Sequence, residues 1–185
     1  MKVTIERITP WSLALDLARN TIGKEEKGSE PSSNWKRKII AAEHSPIRAV
    51  MFHLRFTDLP YWVAVHLTRH KHGVEWFQST QRTDRTESGI DRSGLRQDAP
   101  VMLDAVLNAQ AILSISRRRL CRQASPETRA AWNAVVKALY AIGDEELADA
   151  CMAMCAYRGG LCNEIHPCGL CVGGWFASKR KKVVK

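Results

Sequence analysis

Arg69-His70-Lys71-His72-Gly73-Val74-Glu75-Trp76-Phe77-Gln78-Ser79-Thr80-Gln81-Arg82 gathers cations, imidazoles, hydroxyls and amides into one short span. A solvated surface rarely needs so many different polar groups together, whereas a site for an anionic, planar ligand does. Arg69, Arg82 and the more distant Arg119 supply the planar, multi-donor groups that cradle phosphate. His44, His70 and Trp76 offer rings to stack on a heterocycle. Gln78, Ser79, Thr80, Gln81 and Asn108 offer donors and acceptors for its polar edge. On residue chemistry alone the span reads as a nucleotide or flavin site.

Working outward, the pattern predicts a helix from about Tyr61 to His72 that stops at Gly73. On that helix His66 stands three residues before Arg69 and four before His70, so the three share a face. A solvated basic helix end, favoured by the helix dipole, is the plainer reading of the same spacing. Toward the N-terminus, Val3 to Ile8 alternates as a strand, and Trp11 opens an amphipathic helix that runs toward Gly23. Residues 21–37 read as a loop, either a lid or passive. Ile39 to Glu43 reads as a short helix and Ile47 to Phe56 as a strand. Toward the C-terminus, residues 84–100 read as a second loop. Val101 to Ile115 is apolar on nearly every side, which predicts a buried helix. Ser125-Pro126-Glu127 is a helix start, continued to Gly143, and a further helix is expected over Asp144 to Cys155.

The chain has 185 residues, 45% of them apolar, enough for one domain with its own core. Lys and Arg number 28 against 19 acids, a formal charge of +9, which favours anionic partners: nucleotides, nucleic acid or an acidic membrane. The first residues lack the apolar region of a signal peptide, and no apolar run reaches the ~18 residues of a membrane span. A cytoplasmic protein without a membrane partner is therefore expected. In that setting six cysteines are expected as free thiols or metal ligands. Cys168 and Cys171 have the spacing of half a zinc knuckle, and Cys155 and Cys162 would complete a structural zinc site. Buried thiols acting as small apolar side chains are the other reading.

The order of these pieces resembles the flavin-dependent thymidylate synthases. Glu43-His44 precedes an apolar strand. Arg69-His70-Lys71 and then Ser79-Thr80-Gln81-Arg82 follow, where the family has Arg-His-Arg, an Asn-Glu pair, a Ser and an Arg-Tyr. Asn108-Ala109-Gln110-Ala111-Ile112, Arg119 and Glu127 follow the family's downstream pattern, and the resemblance spans roughly residues 40–130. It implies an α+β fold, a single domain with a sheet packed against long helices over residues 1–175, followed by a basic tail at 176–185. It also implies a homotetramer with active sites between subunits, and reductive methylation of dUMP to dTMP with FAD, NADPH and methylenetetrahydrofolate.

The roles the resemblance implies are specific. His44, Arg69, His70, Lys71, Gln78 and Asn108 would contact FAD. His66, Ser79 or Thr80, Arg82, Arg92 and Arg119 would hold the pyrimidine nucleotide, and no nucleophile is assigned. The chain departs from the family at Lys71, at Phe77-Gln78 where the Asn-Glu pair would fall, at Thr83, at Gln110 and at His66. Gln78 can still hydrogen-bond a ring edge in place of the missing carboxylate. Two alternatives use the same residues: a relative that binds nucleotide or flavin without turnover, and a basic nucleic-acid-binding protein with a zinc-stabilised tail.

Overall fold

The structure is a computed structural model that describes residues 1–82, 84, 85 and 91–170. Four strands form one antiparallel sheet: β1 (Lys2–Arg7), β2 (Met51–Pro60), β3 (Val74–Gln78) and β4 (Pro100–Asn108), in the order β1-β2-β4-β3. Seven helices accompany it among the described residues: α1 (Trp11–Asn20), α2 (Ser33–Ala42), α3 (Tyr61–Leu67), α4 (Ala109–Arg119), α5 (Pro126–Ala141), α6 (Glu145–Ala150) and α7 (Met154–Tyr157). The α+β class expected from the resemblance is the one observed.

The sheet is two-faced because its strands alternate. Ile5, Phe52, Leu54, Phe56, Leu103, Ala105 and Leu107 are buried on one side, where they meet Trp11, Ile112, Ile115 and Trp132. The other side carries Glu6, His53, Arg55 and Asp104. Its cross-strand pairs link His53 to Glu6 at 3.2 Å and to Asp104 at 3.0 Å, and Arg55 to Asp104 at 2.7 Å.

The apolar run from Val101 to Ile115 is a strand followed by a helix, not one buried helix. Val101, Leu103, Ala105 and Leu107 are buried at a period of two, and the switch to helix falls at Asn108. Asn108 is the N-cap of α4, its Oδ1 accepting from the Ala111 N–H at 2.9 Å. Apolar residues continue across Asn108 because both the strand and the helix are largely buried, and this masks the change of period.

The other boundaries move for local reasons. α3 stops at Leu67, not His72, and the chain turns with the His70 N–H donating to the Leu67 carbonyl at 3.0 Å. Gly73, at φ +71°, therefore starts the approach to β3 rather than ending a helix. Pro46 and Ile47 sit in a 3-10 turn over Ser45–Ala49, so β2 begins at Met51 rather than Ile47. β2 then runs past Phe56 through a bulge at which Asp58 takes φ +56°. Ser32 caps α2 by accepting from the Trp35 N–H, so the expected loop ends there and the helix is longer than Ile39–Glu43. The last expected helix is broken into α6 and α7. β3 carries no clear alternation and was not expected from the sequence. Among the described residues no helix is long and apolar enough to cross a membrane.

Candidate functional site

Three hollows receive the candidate residues. The first, of 230 Å³, is lined by Arg69, His70, Lys71 and His72 from the turn after α3, and by Ser114 and Ile115 from α4. Trp76 of β3 fixes this turn by donating its indole N–H to the His70 carbonyl at 2.8 Å. Arg119, at the end of α4, reaches back to the same turn. Its Nε donates to His70 Nε2 at 2.9 Å, and its Nη2 donates to the His66 carbonyl. His66 lies within hydrogen-bonding distance of Thr128 Oγ1 at 3.0 Å and meets Trp62 edge-on at 5.4 Å. His66 and His70 are thus joined through Arg119, with Arg69 beside it as a like charge, and not by a shared helix face.

The electrostatics of this hollow are one-sided. Burial, with Arg119 and Arg118 close by, lowers the His70 pKa to about 4. Burial, Arg119 and Arg69 lower that of His66, and burial with Arg69 and Arg118 lowers that of Arg119. Among the described residues no carboxylate stands within ion-pair distance of Arg69 or Arg119, and Arg118 reaches Glu164 only at 3.7 Å. Cations crowded without counter-charges form a site that an anion would relieve.

The second hollow, of 330 Å³, is lined by Tyr61, Gln78, Ser79, Thr80, Gln81 and Arg82. Ser79 extends the β3–β4 pairing: its N–H donates to the Met102 carbonyl at 2.9 Å, and its Oγ accepts from the Met102 N–H at 3.0 Å. Thr80 Oγ1 accepts from the Arg82 N–H at 3.1 Å, and the Arg82 guanidinium pairs with Asp84 at 2.5 Å. Both hydroxyls the sequence offered for one role line this hollow, so the choice between Ser79 and Thr80 stays open.

The third hollow, of 370 Å³, includes Ile40, Glu43, Leu113, Arg117, Met152 and Tyr157 in its lining. Glu43 ends α2 at φ +49° and accepts from Gln110 Nε2 at 2.6 Å and from Arg117. The Arg117 guanidinium lies 3.7 Å from the centre of the Tyr157 ring. Burial works to raise the Glu43 pKa, but hydrogen bonds with Arg117, Tyr157 and Gln110 outweigh it and hold it below the ordinary carboxylate value. His44, the next residue, is exposed and lines none of the three hollows.

Neither a protein-family model nor any curated protein sequence matches the chain. Its backbone does match solved structures. The flavin-dependent thymidylate synthase ThyX from Helicobacter pylori, complexed with FAD and dUMP, superposes with a TM-score of 0.67 over 82% of this chain and 100% of that one, at 13% identity. A second structure of that protein with FAD and dUMP gives 0.66 over 81% and 99%, also at 13% identity. The UMP/dUMP methylase PolB from Streptomyces cacaoi, bound with 5-Br dUMP, gives 0.58 over 80% and 94%, at 14% identity. The chain has the thymidylate synthase X fold.

Within this fold the expected residues divide. Arg69, His70 and Lys71 share the first hollow, Gln78, Ser79, Thr80 and Arg82 the second. Arg119 and His66 buttress the first from behind. Asn108 is spent in part on capping α4. The Arg92 side chain, the tail at 176–185 and Cys171 lie outside the described residues.

Among the described residues no three His, Cys, Asp or Glu side chains are placed to hold a metal ion. Cys155 is half-buried, Cys162 buried and Cys168 exposed, and the described cysteines are free thiols. Burial pushes the Cys151 thiol up to about 11, which keeps it protonated and unreactive.

Ser114, Arg118 and Arg117 were missed as site residues. Once α4 is started at Asn108, they form a stripe with Gln110 at i, i+4, i+7 and i+8, the unburied face of an otherwise buried helix. Reading the run as one helix hid that stripe.

The depressed His70 pKa makes stability depend on pH. The unfolded chain takes up a proton near pH 6.5, the folded one only near 4. Between those values the unfolded state binds more protons, so stability falls as pH falls through that window. A loss on the order of 1 kcal/mol is expected by about pH 5. Melting temperatures of the wild type and His70→Gln, followed from pH 7 to 5, should converge on acidification. Parallel curves would contradict the assignment.

Proposed function

We propose that the chain is a flavin-dependent methyltransferase that converts dUMP to dTMP with methylenetetrahydrofolate as carbon donor and NADPH as reductant. The observation that supports this most is the pair of cations Arg69 and Arg119 at the first hollow, neither with a carboxylate in ion-pair distance among the described residues, in a fold that includes structures complexed with FAD and dUMP. FAD, when bound, supplies the redox centre of such a reaction.

The residues fit the anionic part of that group. Arg69 and Lys71 neutralise a diphosphate, and His70 adds a hydrogen bond. A hollow of 230 Å³ is too small for a whole dinucleotide. A homotetramer in which a second subunit closes over the remainder completes the proposal. Asn108, at the N-terminus of α4, and His44, in the turn before β2, are the further flavin contacts that the resemblance implies. In the second hollow Arg82 takes the nucleotide phosphate, and Ser79 or Thr80 reaches the pyrimidine. Gln78 takes the place of the family's carboxylate and offers both a donor and an acceptor to a ring edge.

Arg82→Ala should weaken dUMP binding roughly tenfold, since a charge-assisted contact at an exposed position is lost. Calorimetric titration measures this directly, and an unchanged affinity removes Arg82 from the phosphate site. The function itself is tested by incubating the protein with FAD, NADPH, dUMP and isotopically labelled methylenetetrahydrofolate. Label in dTMP is the expected result. Binding of FAD and dUMP without label transfer would identify a relative that binds but does not turn over.

A further inference from the structure

Arg119 donates its Nε–H to Nε2 of His70. A guanidinium carries five N–H donors and no acceptor, and in proteins it stays charged. In this pair the imidazole nitrogen is therefore the acceptor, so Nε2 carries no proton. The single ring proton then lies on Nδ1, and the ring is neutral. The grip is bidentate, because the same guanidinium also donates to the His66 carbonyl, across the turn that ends α3.

The surroundings reinforce this state. Arg118 and Arg119 act on His70 from α4, and Arg69, Lys71 and His72 flank it in its own turn. Trp76 of β3 engages only the His70 carbonyl. Each charged group in this set is a cation, which disfavours a second ring proton. Among the described residues Nδ1 has no protein partner. Its N–H is thus left for whatever fills the hollow.

We propose that Arg119 is a positioning residue that fixes His70 as the neutral imidazole protonated on Nδ1, so that the hollow presents one neutral ring donor beside the charges of Arg69 and Lys71. The ligand atom that meets His70 must then be a hydrogen-bond acceptor, a phosphoryl or carbonyl oxygen, and not an N–H. It also follows that the ligand can bind near neutral pH without proton uptake at His70. This deepens the flavin reading by giving one of its contacts a protonation state. Its test needs no ligand, so either can fail without the other.

The experiment is long-range ¹H–¹⁵N correlation spectroscopy of the histidine rings in the ligand-free protein, with the His70 signal assigned by its loss in His70→Gln. The wild type should show the neutral Nδ1–H pattern throughout about pH 5.5 to 8. In Arg119→Met, which keeps the apolar stem and removes donors and charge, the Nε2–H form should appear and the titration midpoint should rise by about one unit or more. Arg119→Lys keeps a cation without the planar fork and should show a mixture of tautomers. An Nε2–H or doubly protonated ring in the wild type at pH 7 overturns the proposal, whatever the variants do. An unaltered tautomer and midpoint in a folded Arg119→Met would equally remove Arg119 from the role.

Discussion

Asp144→Ala is expected to cost about 3 kcal/mol of folding stability, lowering the melting temperature by roughly 6–12 °C for a chain of this size. Asp144 is fully buried at the corner between α5 and α6. One carboxylate oxygen accepts from the Arg7 guanidinium of β1 and from the Trp11 indole of α1, each at 2.7 Å. Removing it leaves the buried Trp11 N–H without an acceptor and Arg7 without its counter-charge. Arg7 is 28% exposed and can turn to water, so Arg7→Ala should cost clearly less. The other Asp144 oxygen is buried without a partner, which holds the net cost below that of a fully satisfied pair. Urea unfolding of the two variants measures the difference. Equal losses would mean that the Arg7 pair, and not the Trp11 hydrogen bond, dominates.

Gly73→Ala should destabilise the fold by about 2–3 kcal/mol, from two causes. At φ +71° any L-residue is strained by about 1–2 kcal/mol. The added Cβ would also stand 2.8 Å from Asn108 Nδ2 and 2.9 Å from Asn108 Oδ1, the atom that caps α4. Asn108 cannot swing aside without surrendering that cap, worth about 1 kcal/mol. The Asn108 N–H also donates to the Gly73 carbonyl at 3.0 Å, so the two residues are locked together. In an Asn108→Ala background the cost of Gly73→Ala should fall to the backbone part alone. A cost that is the same in both backgrounds would show that the cap is not involved. Because this contact ties the turn at Arg69–His72 to the start of α4, the same variant should weaken FAD binding.

The sequence made β1, α1 and α5 legible because each has one clear periodicity and a clear boundary: Pro10, Trp11 and Ser125-Pro126. Val101–Leu107 was not legible as a strand, because Asn108 switches the period inside a run that is apolar before and after it. β3 was hidden for another reason. Glu75, Phe77 and Gln78 are exposed on an edge strand, so Val74 is its one buried residue. The residue types of the candidate site and their order led to the fold that the structural likeness shows. The partition was not legible. His70 and Arg82 stand close in sequence, yet β3 runs between them and separates their hollows. The pairing of Arg119 with His70 is likewise set by tertiary structure and has no signal in the sequence.

Joint binding of flavin and pyrimidine nucleotide is read from the visible absorption spectrum of the protein titrated with FAD and then with dUMP. A bound flavin band that dUMP perturbs is expected, with the perturbation lost in Arg82→Ala. A protein that stays colourless after FAD and desalting, or a flavin band indifferent to dUMP, would contradict it.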